Sequence, residues 1–267
     1  ERQEFALHYQ PKINLRTGEI TGAEALIRWE HPTRGPLLPG QFIPIAEDCG
    51  LILHIGRWVL REACRQARAW TDAGLPAAMM AVNVSAIEFR DDNFLQGLFA
   101  ILSETGVNPR CLQLELTESV LMKRAEPAAG ILRTLREWGV QVAIDDFGTG
   151  YSSLSYLQRF NVDALKIDQS FVRQIAIGGQ DAAIVTAVIS MARSLKLTVI
   201  AEGVETQDEL EFLQSHKCDE AQGYYFSRAV PHQQFASLLK TDLKELVVRD
   251  IASHSRQRSR AVPQNRR

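Results

Sequence analysis

The chain has 267 residues, 45% of them hydrophobic and 23% charged. A chain this long hides roughly 70–75% of its unfolded surface, which argues against disorder and against any need for disulfide staples. With 30 basic and 32 acidic side chains the formal net charge is −2, so no chain-wide footprint for duplex DNA or RNA is expected. The length allows two domains or one α/β barrel.

In chain order, short β-rich runs alternate with helical patterns. Strands are expected at Phe5–Pro11, Ile20–Trp29, Ala77–Val84, Cys111–Leu116, Gln141–Ile144, Ala164–Ile167, Thr198–Ala201 and Ala221–Phe226. Helices are expected at Leu53–Ala73, Asp91–Glu104, Pro127–Trp138, Asp181–Leu195, Thr206–Ser215 and Pro231–Leu239. The first helix places Ile55, Val59, Ala63, Ala67 and Trp70 near helical spacing, and Gly74 and Pro76 stop it. Thr206 followed by Glu209 is a capping-box pattern. Eight strands between helices predict a TIM-like (β/α)8 barrel of the α/β class, with a doubly wound sheet as the alternative. Leu15-Arg16-Thr17-Gly18-Glu19 reads as a hairpin turn. The first strand is therefore expected to be antiparallel.

Cys49, Cys64, Cys111 and Cys218 lack zinc-site spacing and read as free thiols in a reducing compartment. No run of 18 apolar residues occurs. The start at Glu1 without methionine is expected of a piece of a longer protein, whose remainder could carry a membrane anchor. The expected division is a barrel domain at 1–245 and a flexible basic extension at 246–267, where Arg256, Arg258, Arg260, Arg266 and Arg267 meet no acid after residue 250.

The informative feature is the placement of polar groups inside or just after apolar strands: Glu24, Asn83, Glu115, Asp145, Asp146, Lys166, Glu202, Glu205 and Gln222. In a barrel the carboxyl ends of the strands share one rim, and active sites lie there. Carboxylates converging on one mouth would repel one another and take up protons unless compensated. Divalent cations supply that compensation, and Asp, Glu and Asn oxygens suit magnesium or manganese. One carboxylate such as Asp145 can bridge two ions. Taken singly, each acid could be solvated or salt-bridged, Asn83 a structural amide and Lys166 an ion-pair lysine. Their co-occurrence carries the argument, because burying such groups is expensive. Composition alone leaves an enolase-like or aldolase-like barrel open.

Several ordered motifs then carry a resemblance. They are Glu24-Ala25-Leu26-Ile27-Arg28-Trp29, Asp145-Asp146-Phe147-Gly148-Thr149-Gly150-Tyr151-Ser152-Ser153-Leu154, Leu165-Lys166-Ile167-Asp168, Ala201-Glu202-Gly203-Val204-Glu205-Thr206 and Glu220-Ala221-Gln222-Gly223-Tyr224-Tyr225-Phe226. Over residues 5–240 the chain resembles the EAL domains, cyclic di-GMP phosphodiesterases of bacteria. The resemblance implies a barrel with an antiparallel first strand and hydrolysis of cyclic di-GMP to pGpG. It implies two Mg2+ or Mn2+ ions, one held by Glu24, Asn83, Glu115 and Asp145, the other by Asp145, Asp146 and Glu202. Lys166 would stand beside the attacking water, with Glu202 as a candidate proton acceptor. Glu24 and Glu205 join the catalytic group, Glu205 supporting the site. Arg28, Leu26 and Gln222 would meet substrate, and Glu118 would anchor the loop 146–155. A homodimer, upstream sensory or GGDEF domains, and a cytoplasmic domain whose parent could be anchored in the inner membrane also belong to the resemblance. A catalytically quiet receptor for the same nucleotide is the alternative.

Overall fold

The structure, a computed structural model, describes residues 4–122, 125–148, 157, 159–175, 180–241, 244 and 247. β1 (Phe5–Asn14) and β2 (Ile20–His31) form an antiparallel hairpin that sets Gln10 opposite Glu24. Its turn is local chemistry: the Asn14 carboxamide oxygen accepts from the Arg16 and Thr17 N–H groups, and Gly18 takes φ 73°. A short β3 (Gly35–Leu37) extends the sheet beyond β2.

From β2 the chain continues in parallel through β4 (Met79–Asn83), β5 (Leu112–Thr117), β6 (Gln141–Phe147), β7 (Ala164–Ile167), β8 (Thr198–Ala201) and β9 (Glu220–Ala221). β9 returns antiparallel to β1 and closes an eight-stranded barrel, with β10 (Val230–Pro231) added beside β1. The barrel and its antiparallel first strand are those expected from the alternating pattern and the hairpin turn.

Each strand sorts its residues by the two-residue period. In β5, Leu112, Leu114 and Leu116 are buried in the apolar layer between barrel and helices. Each contributes about 1.5–3 kcal/mol by leaving water. Gln113 and Glu115 are buried too, but they meet Lys12 of β1 across the barrel. Among the described residues, Ala143, Ala164 and Ile200 form a small separate apolar cluster. They come from β6, β7 and β8, one alternation below the acidic and lysine positions Asp145, Lys166 and Glu202.

The helix Ile52–Asp72 buries Val59, Ala63, Ala67 and Trp70, as its spacing predicts. Trp70 stacks on Phe235 at 4.9 Å and meets Tyr9 edge-on at 5.0 Å, so this helix and the helix His232–Leu238 clamp β1. Thr206 and Glu209 form the expected capping box.

Two departures have clear causes. The helix Pro39–Asp48 is absent from the expected set because Pro39, Gly40 and Pro44 read as breakers; Pro39 stands in the first turn, where a missing N–H is harmless. The eighth strand, expected to run through Phe226, ends at Ala221. There the chain turns against Val204: a Cβ on Gly223 would lie 2.1 Å from the Val204 carbonyl oxygen, so only glycine permits this approach.

Candidate functional site

The site begins with a defect in β6. In an unbroken strand Asp145 and Asp146 would point to opposite faces. Here the register with β7 shifts between Ile144 and Phe147, and Asp146 adopts φ 54°. Such a bulge turns consecutive side chains to one side. Asp145, Asp146 and Glu202 each bring one oxygen within 4.8 Å of the others. Glu202 reaches this point because it follows directly on β8, its N–H donating to the Ile167 carbonyl at 3.1 Å.

Lys166 stands at the centre and is fully buried. Its Nζ lies 2.6 Å from Glu115, 2.6 Å from Glu202, 3.2 Å from Asp145 and 3.5 Å from Glu24. Burial alone would lower its pKa, but Asp145, Glu115, Glu202 and Glu24 together hold it well above the ordinary lysine value. Around it, Asn83 Nδ2 donates to Glu24 at 2.7 Å, and Gln222 Nε2 donates to Glu24 at 2.5 Å and to Glu202 at 3.2 Å.

A second lysine lies deeper. Lys12 Nζ donates to Glu115 at 2.7 Å and to Gln113 at 2.8 Å. Glu115 is thus held between two ammonium groups. Burial pushes its pKa up, but Lys12 and Lys166 outweigh that and bring it down to about 2.

The other carboxylates are less well served. Burial and then Glu115 raise the Glu24 pKa, against the pull of Lys166. Glu202 is raised well above its ordinary value by burial, with Asp145 and Glu24 adding to it and Lys166 opposing. Asp146 is pushed up to about 6 by burial and by Asp145 and Asp168. Five carboxylates thus share two lysines, and those raised lie on the Lys166 side. An all-oxygen donor set with excess negative charge fits a hard divalent cation, which would restore the balance. The residues present therefore fit the metal that the motif chemistry implies.

A cavity of about 230 Å³ opens over these groups, and Glu24, Leu26, Asp145, Glu202, Glu205 and Gln222 line it with six others. Six expected residues therefore meet at one opening, and Glu115 and Lys166 lie beneath it. Arg28 is placed differently. Its guanidinium donates to the adjacent Ile27 carbonyl at 2.8 Å, and it does not line the cavity. Burial lowers its pKa. Glu205 pairs with Arg173 at 2.8 Å on the rim. Glu118 is buried in the first turn of the helix Glu118–Met122, directly after β5. The expected loop 146–155 runs from residue 149 outside the described residues.

Lys12, Gln10 and Arg173 are the site residues that sequence reasoning missed. The signal for Lys12 was available: a lysine two residues beyond Gln10, on the same strand face, in a strand that also carries Leu7, Tyr9 and Ile13. The four cysteines are free, and burial pushes Cys64 and Cys218 up to about 12, which makes them inert structural thiols.

Comparison with known proteins identifies the family. The profile described as "EAL domain" matches residues 1–229. The bifunctional diguanylate cyclase/cyclic di-GMP phosphodiesterase MucR of Pseudomonas aeruginosa is 46% identical over 234 residues, covering 88% of this chain and 34% of MucR. The cyclic di-GMP phosphodiesterase NbdA of the same organism is 45% identical over 228 residues, covering 85% of this chain and 29% of NbdA. The chain thus spans about a third of the length of these relatives. The solved structure of the PaMucR phosphodiesterase in complex with c-di-GMP superposes with a TM-score of 0.86 at 46% identity, covering 88% of this chain and 95% of that one. With the profile matching most of the chain and the relatives this similar, the chain belongs to the EAL domain family.

Proposed function

We propose that this domain hydrolyses one phosphodiester of cyclic di-GMP to give linear pGpG. The observation that carries the reading is the buried Lys166 cage beneath an acid-rich mouth, where the β6 bulge brings Asp145 and Asp146 together beside Glu202. The matches to named cyclic di-GMP phosphodiesterases support the substrate.

In this reading Glu24, Asn83, Glu115 and Asp145 would hold one ion, and Asp145, Asp146 and Glu202 would hold a second, each Mg2+ or Mn2+. Bound there, the ions would supply Lewis acidity and lower the pKa of a water that attacks phosphorus. The protein's own groups do the positioning. Lys166 keeps a fixed positive charge against Glu115 and Glu202, and stabilises negative charge on the attacking oxygen. Glu202 is the candidate acceptor for its proton. Gln222 ties Glu24 to Glu202 and fixes both before substrate arrives. Leu26 offers an apolar wall, Arg28 reaches a phosphate once it leaves the Ile27 carbonyl, and Glu118 steadies the loop after Asp146. Glu205 supports the rim through Arg173.

The barrel domain is proposed to span 1–245, with 246–267 as a basic extension. Homodimerisation, upstream sensory or GGDEF domains and a bacterial cytoplasmic setting belong to the same proposal. Among the described residues, no helix is long and apolar enough to cross a membrane.

The test is direct. Purified protein incubated with cyclic di-GMP should form pGpG with Mg2+ or Mn2+ and none with chelator. Glu24→Ala should keep the circular dichroism spectrum and lower the rate by at least ~100-fold. Tight binding without product from the wild type would favour the receptor reading. Retained activity in Glu24→Ala would remove Glu24 from the metal set.

A further inference from the structure

The cavity over the site presents an electrostatic problem for a cyclic dinucleotide. That substrate carries two phosphodiesters, each with one negative charge, and only one can sit over the carboxylate cage at a time. Among the described lining residues are four acids, Glu24, Asp145, Glu202 and Glu205, and one cation, Arg173. Lys166 is surrounded by four carboxylates, and Arg28 is turned onto its own backbone.

Arg173 is held over the cavity by construction. It closes the short helix Gln169–Arg173, whose start is capped by Asp168 accepting from the Ser170 N–H. That helix packs directly on the turn after Glu202: a Cβ on Gly203 would lie 2.5 Å from Gln169 Cβ, and Gly203 takes φ 69°. Glycine at 203 thus allows the helix to approach the catalytic rim. Arg173 Nη2 then pairs with Glu205 at 2.8 Å, both side chains about half exposed at 53% and 40%. A pair this exposed is weak in water. A guanidinium can exchange a carboxylate for a phosphate with the same two-pronged geometry.

We propose that Arg173 binds the non-scissile phosphodiester of the cyclic dinucleotide, with Glu205 holding it in place over the cavity before substrate arrives. The proposal rests on the phosphodiesterase reading and assigns a specificity residue within it. Arg173 thereby separates a substrate with two phosphodiesters from one with a single phosphodiester.

The experiment compares cyclic di-GMP with bis(p-nitrophenyl) phosphate, which has one phosphodiester, using the whole chain in Mn2+. Arg173→Ala should raise KM for cyclic di-GMP about tenfold and change kcat less than about twofold. Its kcat/KM for bis(p-nitrophenyl) phosphate should fall much less than that for cyclic di-GMP. Arg173→Lys, with a point charge but no fork, should fall between. An unchanged KM overturns the proposal. Equal losses on both diesters also overturn it, since Arg173 would then act through the carboxylate site or the fold. A wild type that binds cyclic di-GMP without cleaving it sinks only the phosphodiesterase reading, and the same tenfold weakening of Kd by calorimetry then decides the role of Arg173. A wild type that neither binds nor cleaves overturns both.

Discussion

The barrel interior holds two lysines in unlike company. Lys12 meets one carboxylate, Glu115, and one neutral amide, Gln113. Lys166 meets four carboxylates, with Asp146 nearby. Glu115 joins the two regions and is well compensated, its pKa down at about 2. Glu24, Asp146 and Glu202 are raised. Beneath, Lys12 pairs with Glu115 alone, while toward the mouth four carboxylates share Lys166. That asymmetry makes the mouth, where Asp145, Asp146 and Glu202 come together, the part able to hold a cation, with the Lys12 cluster beneath it.

The largest expected effect comes from breaking the Lys12 pair. Lys12→Met leaves Gln113 without its buried donor and Glu115 with Lys166 as its one ammonium partner. Removing one member of a buried ion pair typically costs about 3–5 kcal/mol. Urea unfolding should show this as a lower midpoint with an unchanged slope, and Lys12→Met/Glu115→Gln should recover part of it. A single variant as stable as the wild type would mean that Lys166 alone suffices for Glu115.

The next effect belongs to the mouth. If its charge is unmatched, Mn2+ should stabilise the fold, by about 2.7 kcal/mol at 100 times its dissociation constant. Asp146→Asn should lose most of this gain while matching the wild type in chelator. Asparagine is the suitable replacement because it tolerates the left-handed backbone that Asp146 adopts at φ 54°. Thermal melts with and without Mn2+ read both quantities. A full metal response in Asp146→Asn would place the binding elsewhere in the cage.

Much of this arrangement is legible in the sequence. The alternation of eight strands with helices and the hairpin turn point to the barrel, and polar residues inside or just after apolar strands mark Glu24, Asn83, Glu115, Lys166 and Glu202. What the sequence hides is three-dimensional. The Asp145-Asp146 pair would be split across two faces without the bulge against β7, and nothing local to the pair announces that register shift. Lys12 lies 103 residues from Glu115, so their pairing exists only once the barrel closes. The turn at Gly223 looks like continuing strand because its cause, the Val204 backbone, comes from elsewhere. Arg28 stands in a motif that points to phosphate, yet its side chain folds back onto Ile27.

Glu88 tests whether every buried carboxylate here needs a cation. It is 6% exposed and accepts from the Ser85 N–H at 3.0 Å, while Ser85 Oγ accepts from the Glu88 N–H at 3.2 Å. Gly56 leaves it room, since a Cβ there would lie 1.5 Å from Glu88 Oε1. Burial raises its pKa above the ordinary 4.5, the Ser85 bonds oppose this, and Glu47 adds to it. The folded state therefore holds this proton more tightly than the unfolded chain. Its stabilising contribution is fully present below pH 4.5 and is lost as pH rises through the folded value. Glu88→Gln keeps an acceptor for the Ser85 N–H and removes the titration. It should match the wild type at low pH and exceed it by roughly 0.5 kcal/mol at neutral pH, read from urea midpoints across the range. A deficit at every pH would mean that the carboxylate is satisfied by its hydrogen bonds alone, and the contrast between paired and unpaired carboxylates would then hold only inside the barrel.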